Sequence, residues 1–234
     1  TTEYIRGENE MITTAHIASI PSRQESLRQC VQAIYPQVDK VYVMLNGYSE
    51  VPSFLRELRN VQYELLDNSF ADSAKFLHTS DDEGFCVVLD DDLVPNRNYV
   101  EYMKQGWDKE RGAVSLHGRT YQYPVQRFRR SYTANYRCLG SVEYNKKVQL
   151  IGTGCLFFSN KEIQLDLSVF ERPYMADVLF SRFCYTRGIP MTVLKHRAGQ
   201  FLRYVKPETT IWSMTGHDEI QTQIINNYLC PSAC

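Results

Sequence analysis

Residues 85–100 read FCVVLDDDLVPNRNYV, an apolar run that ends in three consecutive carboxylates, Asp90, Asp91 and Asp92. A continuous apolar run of this length is typical of a strand that helices cover on both faces, as in a parallel α/β sheet. Like charges crowded at the end of such a strand repel one another and resist removal from water, so a fold tolerates them most easily beside a cation. The stretch therefore predicts a buried strand with a cation-associated site at its carboxyl end.

Segments on either side of this strand alternate between extended and helical patterns. MITTAHIASI, residues 11–20, is rich in β-forming residues, and PSRQESLRQCVQAIY, residues 21–35, has apolar side chains at helical spacing. Ser22 and Glu25 have the spacing of a capping box, which predicts that Ser22 caps this helix. Further strands are predicted at KVYVMLN, VQYELL, GAVSLHG, VQLIGTGCLFFS and PMTVL, and further helices at EVPSFLREL, FADSAKFLHTS, NRNYVEYMKQGW, RPYMADVLFSRFCYTRG and DEIQTQIINNYL. The predicted fold class is α/β, with a mostly parallel central sheet flanked by helices.

Polar segments follow several of the predicted strands. Residues 18–23 follow the first strand, Asn46 ends the second, and the three aspartates end the fourth. Because ligands of open parallel sheets bind beyond the carboxyl ends of the strands, these segments point to one crevice. The aromatic and cationic stretch at residues 119–147 has no clear periodicity, which predicts loops or a hairpin over that crevice.

Composition excludes several classes of partner. The 234 residues are 43% hydrophobic, and 26 basic against 27 acidic side chains give a formal charge of −1, without the basic footprint of a nucleic-acid-binding protein. No apolar stretch approaches the roughly 18 residues of a membrane-spanning helix, and residues 1–10 lack the apolar core of a signal peptide. Seven cysteines, several within apolar segments and none in C-x-x-C spacing, indicate reduced thiols in a cytoplasmic protein.

A single domain spanning residues 1–234 is expected, with a nucleotide-binding half at 1–110 and an acceptor-binding half at 111–234. The ending LCPSAC is unusual for a natural terminus, which suggests a fragment of a longer protein. No internal repeat or linker is visible.

The order of several motifs resembles the family 2 type of GT-A glycosyltransferases. The resemblance covers roughly residues 11–196 and rests on the opening ASIPSRQESLRQCVQAIYPQVDKVYVMLNGY, on LDDD, on the HG at His117, on the GTG at Gly152 and on the late MADVLF. It implies a Rossmann-like GT-A fold, a nucleotide-sugar donor with uracil as the default base, a divalent Mn2+ or Mg2+ ion, and inversion at the anomeric carbon. The expected acceptor is a hydroxyl of a glycan, glycolipid or glycoprotein.

The same resemblance assigns roles to individual residues. Asp92 would bind the metal directly, Asp90 would contact the ribose or meet the metal through water, and His196 would complete the metal shell. Asp177 would be the catalytic base, although relatives often carry two adjacent acids where this chain has Ala176 and Asp177. Residues expected on the nucleotide and donor side are Ser19, Pro21, Arg23, Asn46, Lys75, Asp90, Asp91 and His117, and those expected to leave room for the acceptor are Gly152, Thr153 and Gly154.

Some of these residues also have simpler explanations. Three aspartates can form a solvated acidic turn, and Asp177 can be an acid favoured by the dipole of a helix N-terminus. Asp91 projects to the side opposite Asp90 and Asp92, where a structural role is expected. The segment QFLRY, residues 200–204, resembles the Q-x-x-R-W motif of processive synthases only faintly and is interpreted as chance or a remnant. The aromatic segment at residues 121–136 is the expected acceptor surface.

Three other functions remain open from the sequence. A phosphatase of the haloacid dehalogenase type also uses a D-x-D motif, but its nucleophile ends the first strand, where this chain has ASIPS. A sugar nucleotidyltransferase needs a glycine-rich, basic phosphate loop near the start, which is not present. A non-catalytic nucleotide-sugar-binding module could keep Asp90 and Asp92 without a working base, and Ala176 favours that alternative.

Overall fold

The computed structural model describes residues 11–206 and 217–230. An eight-stranded sheet with the order β3-β2-β1-β4-β11-β6-β12-β9 forms its centre. The strands are β1 (Ile12–Ser19), β2 (Lys40–Asn46), β3 (Val61–Leu66), β4 (Gly84–Asp90), β5 (Leu93–Pro95), β6 (Ala113–Ser115), β7 (Gly118–Tyr121), β8 (Tyr132–Tyr136), β9 (Lys146–Lys147), β10 (Leu150–Ile151), β11 (Cys155–Ser159), β12 (Met191–Val193) and β13 (Leu202–Tyr204). The predicted α/β class with a central sheet is confirmed.

Helices pack on this sheet through the apolar faces that the sequence predicts. The α-helices are α1 (Gln24–Ile34), α2 (Ser53–Arg56), α3 (Tyr99–Glu110), α4 (Ala176–Thr186) and α5 (His217–Leu229). In α3, Val100, Met103 and Trp107 are buried, as their spacing predicts. Residues 71–76, predicted as part of an α-helix, form a 3-10 helix. Among the described residues, no helix is long and apolar enough to cross a lipid bilayer.

The strand directions determine which residues meet at the crevice. Strands β3, β2, β1 and β4 are parallel, so the carboxyl ends of β1, β2 and β4 lie at one edge of the sheet. Strand β11 is antiparallel to β4 and begins at this edge, with Cys155 opposite Leu89. The residues that precede β11 therefore arrive beside the residues that end β4.

Two smaller sheets complete the crevice. Strands β10, β7 and β8 form a three-stranded antiparallel sheet, which confirms a hairpin within the aromatic and cationic stretch. Strand β13 pairs with β5, so Tyr204 lies opposite Leu93, directly after the three aspartates. The predicted strand VQLIGTGCLFFS is two strands, β10 and β11, separated by residues 152–154.

The predicted capping box at the start of α1 is wrong. Ser22 lies inside a 3-10 turn, Pro21–Arg23, and α1 begins at Gln24 after Arg23, which makes no side-chain capping hydrogen bond. The turn is set by Pro21, whose fixed φ suits the first position of a helical turn. Residues 1–10, 207–216 and 231–234, which include most of the LCPSAC ending, lie outside the described residues.

Candidate active site

Asp91 connects the carboxyl end of β4 to that of β1 through a hydrogen bond and an ion pair. Its carboxylate accepts a hydrogen bond of 2.6 Å from Ser19 Oγ and forms an ion pair of 2.8 Å with Arg23 Nη1. Burial raises the pKa of Asp91, although Arg23 and Ser19 oppose the effect. With 1% and 3% exposure, Asp91 and Ser19 have a structural role in joining the two strand ends, and their contact with a nucleotide stays a prediction.

Asp90 is paired with a buried lysine. Lys75 Nζ lies 2.6 Å from Asp90 Oδ1, and the side chain of Lys75 is 4% exposed while that of Asp90 is 44% exposed. The surrounding protein disfavours both charges, but the pair outweighs this effect, so the pKa of Asp90 is lowered and that of Lys75 is raised. The buried ammonium of Lys75 therefore neutralises the more exposed carboxylate of Asp90.

Asp92 is the least compensated of the three aspartates. Its side chain is 15% exposed, and its nearest cation, Arg23 Nη1, lies 3.6 Å away and already pairs with Asp91. Burial raises the pKa of Asp92 to about 7, and the charges of Asp90 and Asp91 add to the increase. Three carboxylates thus share two cations, Arg23 and Lys75, and Asp92 is the one that lacks a close ion pair of its own among the described residues.

This charge distribution fits a divalent cation held by two carboxylates. Among the described residues, no three histidine, cysteine, aspartate or glutamate side chains form a group that could hold a metal ion by themselves. Mg2+ is commonly bound by one or two carboxylates together with water and substrate phosphates, so a complete protein cage is not required. Asp90 and Asp92 fit such a partial site, because a cation there would relieve the repulsion that raises the pKa of Asp92.

His196 does not join this pair. Its Nδ1 lies 2.8 Å from the carbonyl oxygen of Leu194, and its Nε2 lies 3.1 Å from that of Arg137. The residue is 6% exposed and lies at a separate surface pocket of about 580 Å³ that is also lined by Tyr102. Since both ring nitrogens face backbone carbonyls, His196 is removed from the expected metal ligands.

Asp177 lies in the first turn of α4 and is held by Thr153. Its Oδ1 accepts hydrogen bonds of 2.7 Å from the backbone N–H and 2.6 Å from the hydroxyl of Thr153. Thr153 is 1% exposed, so it orients Asp177 instead of contacting an acceptor. Within the described part of the chain, Asp177 Oδ2 makes no hydrogen bond, and it is the oxygen that could receive a proton.

The two glycines on either side of Thr153 leave room for the side chains of His117 and Asp90. A Cβ at Gly154 would lie 2.2 Å from Oδ2 of Asp90, and a Cβ at Gly152 would lie 2.8 Å from the side chain of His117. The space that a Cβ would need at either position is therefore filled by a neighbouring side chain, and the acceptor role of both glycines stays a prediction. This arrangement brings Asp90 and His117 against the segment that orients Asp177.

Sequence reasoning missed Asp72. Its Oδ2 accepts a hydrogen bond of 3.1 Å from the backbone N–H of Ala176, and its charge interacts with those of Lys75, Asp177 and Asp90. Asp177 therefore has a carboxylate neighbour after all, supplied from a distant part of the chain. The signal was present in FADSAKF, where Asp72 precedes Lys75 by three residues and so lies on the same helical face.

Comparisons with known proteins bear on the fold. No protein-family model matches this sequence, and no curated protein matches it significantly. Residues 1–349 of TarS from S. aureus superpose with a TM-score of 0.54 at 12% identity, over 94% of this chain and 71% of that one. The chain has a GT-A-type fold.

Two other solved structures are similar to this chain to different degrees. A Bacillus anthracis protein described as a glucose-1-phosphate thymidylyltransferase, solved with sucrose, matches with a TM-score of 0.50 and 10% identity over 92% of this chain and 94% of that one. A glucosyl-3-phosphoglycerate synthase from Mycobacterium tuberculosis, solved with Mn2+, UDP and phosphoglyceric acid, matches over 45% of this chain and 42% of that one, with 15% identity and a TM-score of 0.36. The second likeness is too low to support an inference.

Further expected donor-side residues occupy distinct places in this GT-A fold. His117 interacts electrostatically with Asp177 and Asp90, and burial lowers its pKa although Asp177 opposes the effect. Asn46 is 3% exposed, and its Nδ2 donates to the carbonyl oxygen of Ala71, so it supports the neighbouring segment. Pro21 is exposed in the turn after β1. His117 therefore lies with the carboxylates, whereas Asn46 lies beneath the crevice surface.

The predicted acceptor surface is only partly exposed. Tyr121 is 5% exposed, and its hydroxyl donates to the carbonyl oxygen of Phe128, so both rings belong to the core. Tyr123 remains 43% exposed. The QFLRY segment reaches the site through β13, and directly after β13 the backbone N–H of Val205 donates to the carbonyl oxygen of Asp92. In the GT-A fold the QFLRY segment therefore has a structural role, because β13 pairs with β5 beside the three aspartates.

Proposed function

We propose that this chain is an inverting, metal-dependent glycosyltransferase that moves a sugar from a nucleotide-sugar, by default a UDP-sugar, to a hydroxyl of a glycan, glycolipid or glycoprotein acceptor. The observation that carries the proposal is the meeting of two groups of carboxylates at one sheet edge. Asp90 ends β4, Asp92 follows in the turn after it, Asp177 lies in the first turn of α4, and Lys75 interacts electrostatically with all three. The GT-A fold supports the proposal at the level of architecture.

Asp177 acts as the general base in this proposal. Thr153 holds Asp177 Oδ1 through two hydrogen bonds, which fixes the carboxylate and leaves Oδ2 to take the proton of the acceptor hydroxyl. The acceptor oxygen forms its bond to the anomeric carbon as the bond to the diphosphate breaks, and the diphosphate leaves with the electron pair. Attack from the face opposite the leaving group inverts the anomeric centre.

Asp90 and Asp92 are the proposed ligands of Mn2+ or Mg2+. A divalent ion supplies positive charge against which a diphosphate leaving group is stabilised. Lys75 and Arg23 hold the carboxylates in position, because each forms an ion pair of less than 3 Å with one of the aspartates. His117, which lies among these charges, is proposed to face the donor sugar.

A nucleotidyltransferase is the second candidate, because the thymidylyltransferase-like structure has a similar fold. That reaction requires the protein to hold a nucleoside triphosphate, and a glycine-rich loop is the usual device. The connection from β1 to α1 here is Ile20 followed by the turn Pro21–Arg23, which contains no glycine. Release of pyrophosphate from UTP or dTTP with a sugar 1-phosphate would support this candidate over the glycosyltransferase.

Calorimetric titration of UDP with and without Mn2+ tests the donor site. We expect Mn2+-dependent binding that Asp92→Ala abolishes and that Asp108→Ala, which changes an exposed residue of α3, leaves intact. Absence of binding in wild type under both conditions would contradict the proposal. A panel of UDP-sugars then tests transfer, and Asp177→Asn separates an enzyme from a non-catalytic module, since only an enzyme would lose turnover while retaining UDP binding.

Residues 1–110 and 111–234 are proposed as the nucleotide and acceptor halves of one domain. We also propose a cytoplasmic setting, because Cys30, Cys86, Cys155 and Cys184 are buried free thiols, and free thiols persist in a reducing compartment. The sugar that is transferred is left to the UDP-sugar panel.

A further inference from the structure

The start of α4 lacks a cap from its own segment. Met175 precedes the helix with φ of −132°, and its side chain makes no capping hydrogen bond. The first amides of an α-helix have no partner within the helix, so they need an acceptor from elsewhere. Asp72, 104 positions earlier in the chain, supplies one: its Oδ2 lies 3.1 Å from the backbone nitrogen of Ala176. The helix that carries Asp177 is therefore capped from the Ala71–Phe76 3-10 helix.

Asp72 is suited to this role by its surroundings. Its Oδ1 is buried and has no hydrogen-bond partner among the described residues, so Oδ2 is the only oxygen of Asp72 with a hydrogen bond there. Asp72 also interacts electrostatically with Lys75, whose ammonium pairs with Asp90. Burial raises the pKa of Asp72 to about 6; Lys75 and the Ala176 N–H oppose this increase, and the charges of Asp177 and Asp90 add to it.

We propose that Asp72 is a positioning residue for the transfer reaction: by capping α4 at Ala176, it fixes the turn from which Asp177 projects. The inference rests on the proposed function, because it concerns the residue that the proposal names as general base. Proton transfer is sensitive to small displacements of the base, and a misplacement of 1 Å can lower a rate about 100-fold.

Two substitutions at one position separate positioning from charge. Asp72→Asn keeps an oxygen that can accept the Ala176 N–H bond but removes the charge, whereas Asp72→Ala removes both. Asp166→Ala is a matched control, because Asp166 also caps a helical turn with its carboxylate, at Ser168, but on the exposed surface. Circular dichroism of each variant verifies that the sheet and helices are retained.

Hydrogen exchange of the amides of Ala176, Asp177 and Val178 tests the cap without any substrate. We expect exchange about fivefold faster in Asp72→Ala, as for a typical lost cap, and near wild type in Asp72→Asn and Asp166→Ala. With a donor in hand, kcat should fall about 10- to 100-fold in Asp72→Ala with little change in KM, and should be largely retained in Asp72→Asn.

The outcomes distinguish failure of this inference from failure of the proposed function. Unchanged exchange at the start of α4 in Asp72→Ala would overturn the inference whether or not the protein transfers a sugar. Loss of kcat in Asp72→Asn as complete as in Asp72→Ala, with wild-type exchange, would also overturn it, since charge would then be the decisive property. Absence of turnover in wild type would contradict the proposed function, while the exchange experiment would still decide the role of the cap.

Discussion

The carboxylate of Asp90 occupies the space that a side chain at Gly154 would need. A Cβ on Gly154 would lie 2.2 Å from Asp90 Oδ2, and the backbone N–H of Asp90 donates a hydrogen bond of 2.9 Å to the carbonyl oxygen of Gly154. The end of β4 and the start of β11 can approach closely because this backbone hydrogen bond joins them and because Gly154 has no side chain. Any side chain at position 154 must therefore displace the carboxylate that pairs with Lys75.

Replacing Gly154 by alanine should abolish metal-dependent UDP binding while leaving the fold intact. Overpacking of a well-packed position typically costs about 1–3 kcal/mol, which a stable domain can absorb, whereas the Asp90 carboxylate has to move. Calorimetric titration of UDP with Mn2+ measures the effect. Gly140→Ala is the control, because a Cβ there would lie 3.3 Å from the carbonyl oxygen of Arg137, which has to move by only a few tenths of an ångström to admit it. Equal UDP affinity in the two variants would contradict the role assigned to Asp90.

Replacing Asp92 by asparagine should stabilise the metal-free protein at pH 8. A carboxyl whose pKa is raised from about 4 to about 7 binds its proton more tightly in the folded state, so the folded state loses stability as pH rises through this range. The asparagine variant lacks this loss, which is at most about 4 kcal/mol. Thermal unfolding should show a higher Tm for the variant at pH 8 and a smaller difference at pH 5.

Addition of Mn2+ should stabilise wild type and not the Asp92→Asn variant. The cation should raise the Tm of wild type by binding the folded state, and it should leave the Tm of Asp92→Asn almost unchanged. An equal increase in both proteins would place the cation elsewhere.

Replacing Thr153 by valine should lower kcat about tenfold without changing UDP affinity. The variant keeps the backbone N–H bond to Asp177 but loses the hydroxyl bond of 2.6 Å, so the carboxylate is held by one contact instead of two. Steady-state transfer with a UDP-sugar measures kcat and KM. Thr120→Val, which removes a hydroxyl from a surface pair with Thr133, is the matched control and should retain full activity. An equal fall of kcat in both variants would contradict a specific role of the Thr153 hydroxyl in holding Asp177.

Replacing His16 by phenylalanine should weaken the acid sensitivity of the fold. Burial lowers the pKa of His16 to about 3, with a further contribution from His78, so the folded state keeps this ring neutral. The unfolded chain binds a proton near pH 6.5, and stability is therefore complete above that pH and falls as pH drops toward 3. The contribution of one such group is at most about 1.4 kcal/mol per pH unit.

Phenylalanine preserves the stacking of a ring at position 16 on Tyr42, whose centroid lies 5.2 Å away. Urea unfolding at several pH values between 4 and 8 measures the difference in stability between wild type and the variant. The difference in stability between the two proteins should be constant above pH 6.5, and wild type should lose stability relative to the variant as pH falls below 6.5. Parallel stability curves would contradict a neutral His16 in the folded state.

Local patterns predicted the elements of this fold well. The apolar run before Asp90 is β4, and the apolar spacing of residues 21–35 and 99–110 appears as α1 and α3. These predictions succeed because periodicity follows from which face of an element is buried, and that information lies within a few residues. The gathering of Ser19, Asn46 and Asp90 at one edge also follows, since parallel strands end together.

Assignments that depended on a single residue succeeded less often. Ser22 does not cap α1, because the chain first makes a 3-10 turn, and His196 directs both ring nitrogens to backbone carbonyls. At positions 152 and 154, His117 and Asp90 occupy the space that a Cβ would need, and the sequence did not reveal these partners. Spacing and residue type indicate what a side chain can do, and they leave its partner undetermined.

The sequence by itself determined the α/β architecture and the presence of an acidic crevice at the ends of the strands. Only the tertiary structure decided how the charges pair: Arg23 with Asp91, Lys75 with Asp90, and Asp72 with the backbone of Ala176. The physical reason is that Arg23 and Asp91 lie 68 residues apart and Asp72 and Ala176 lie 104 residues apart, so these partners meet only when the whole sheet has packed, with β1 parallel beside β4. Short-range periodicity carries the first kind of information, whereas hydrogen bonds and ion pairs between distant elements require the complete fold.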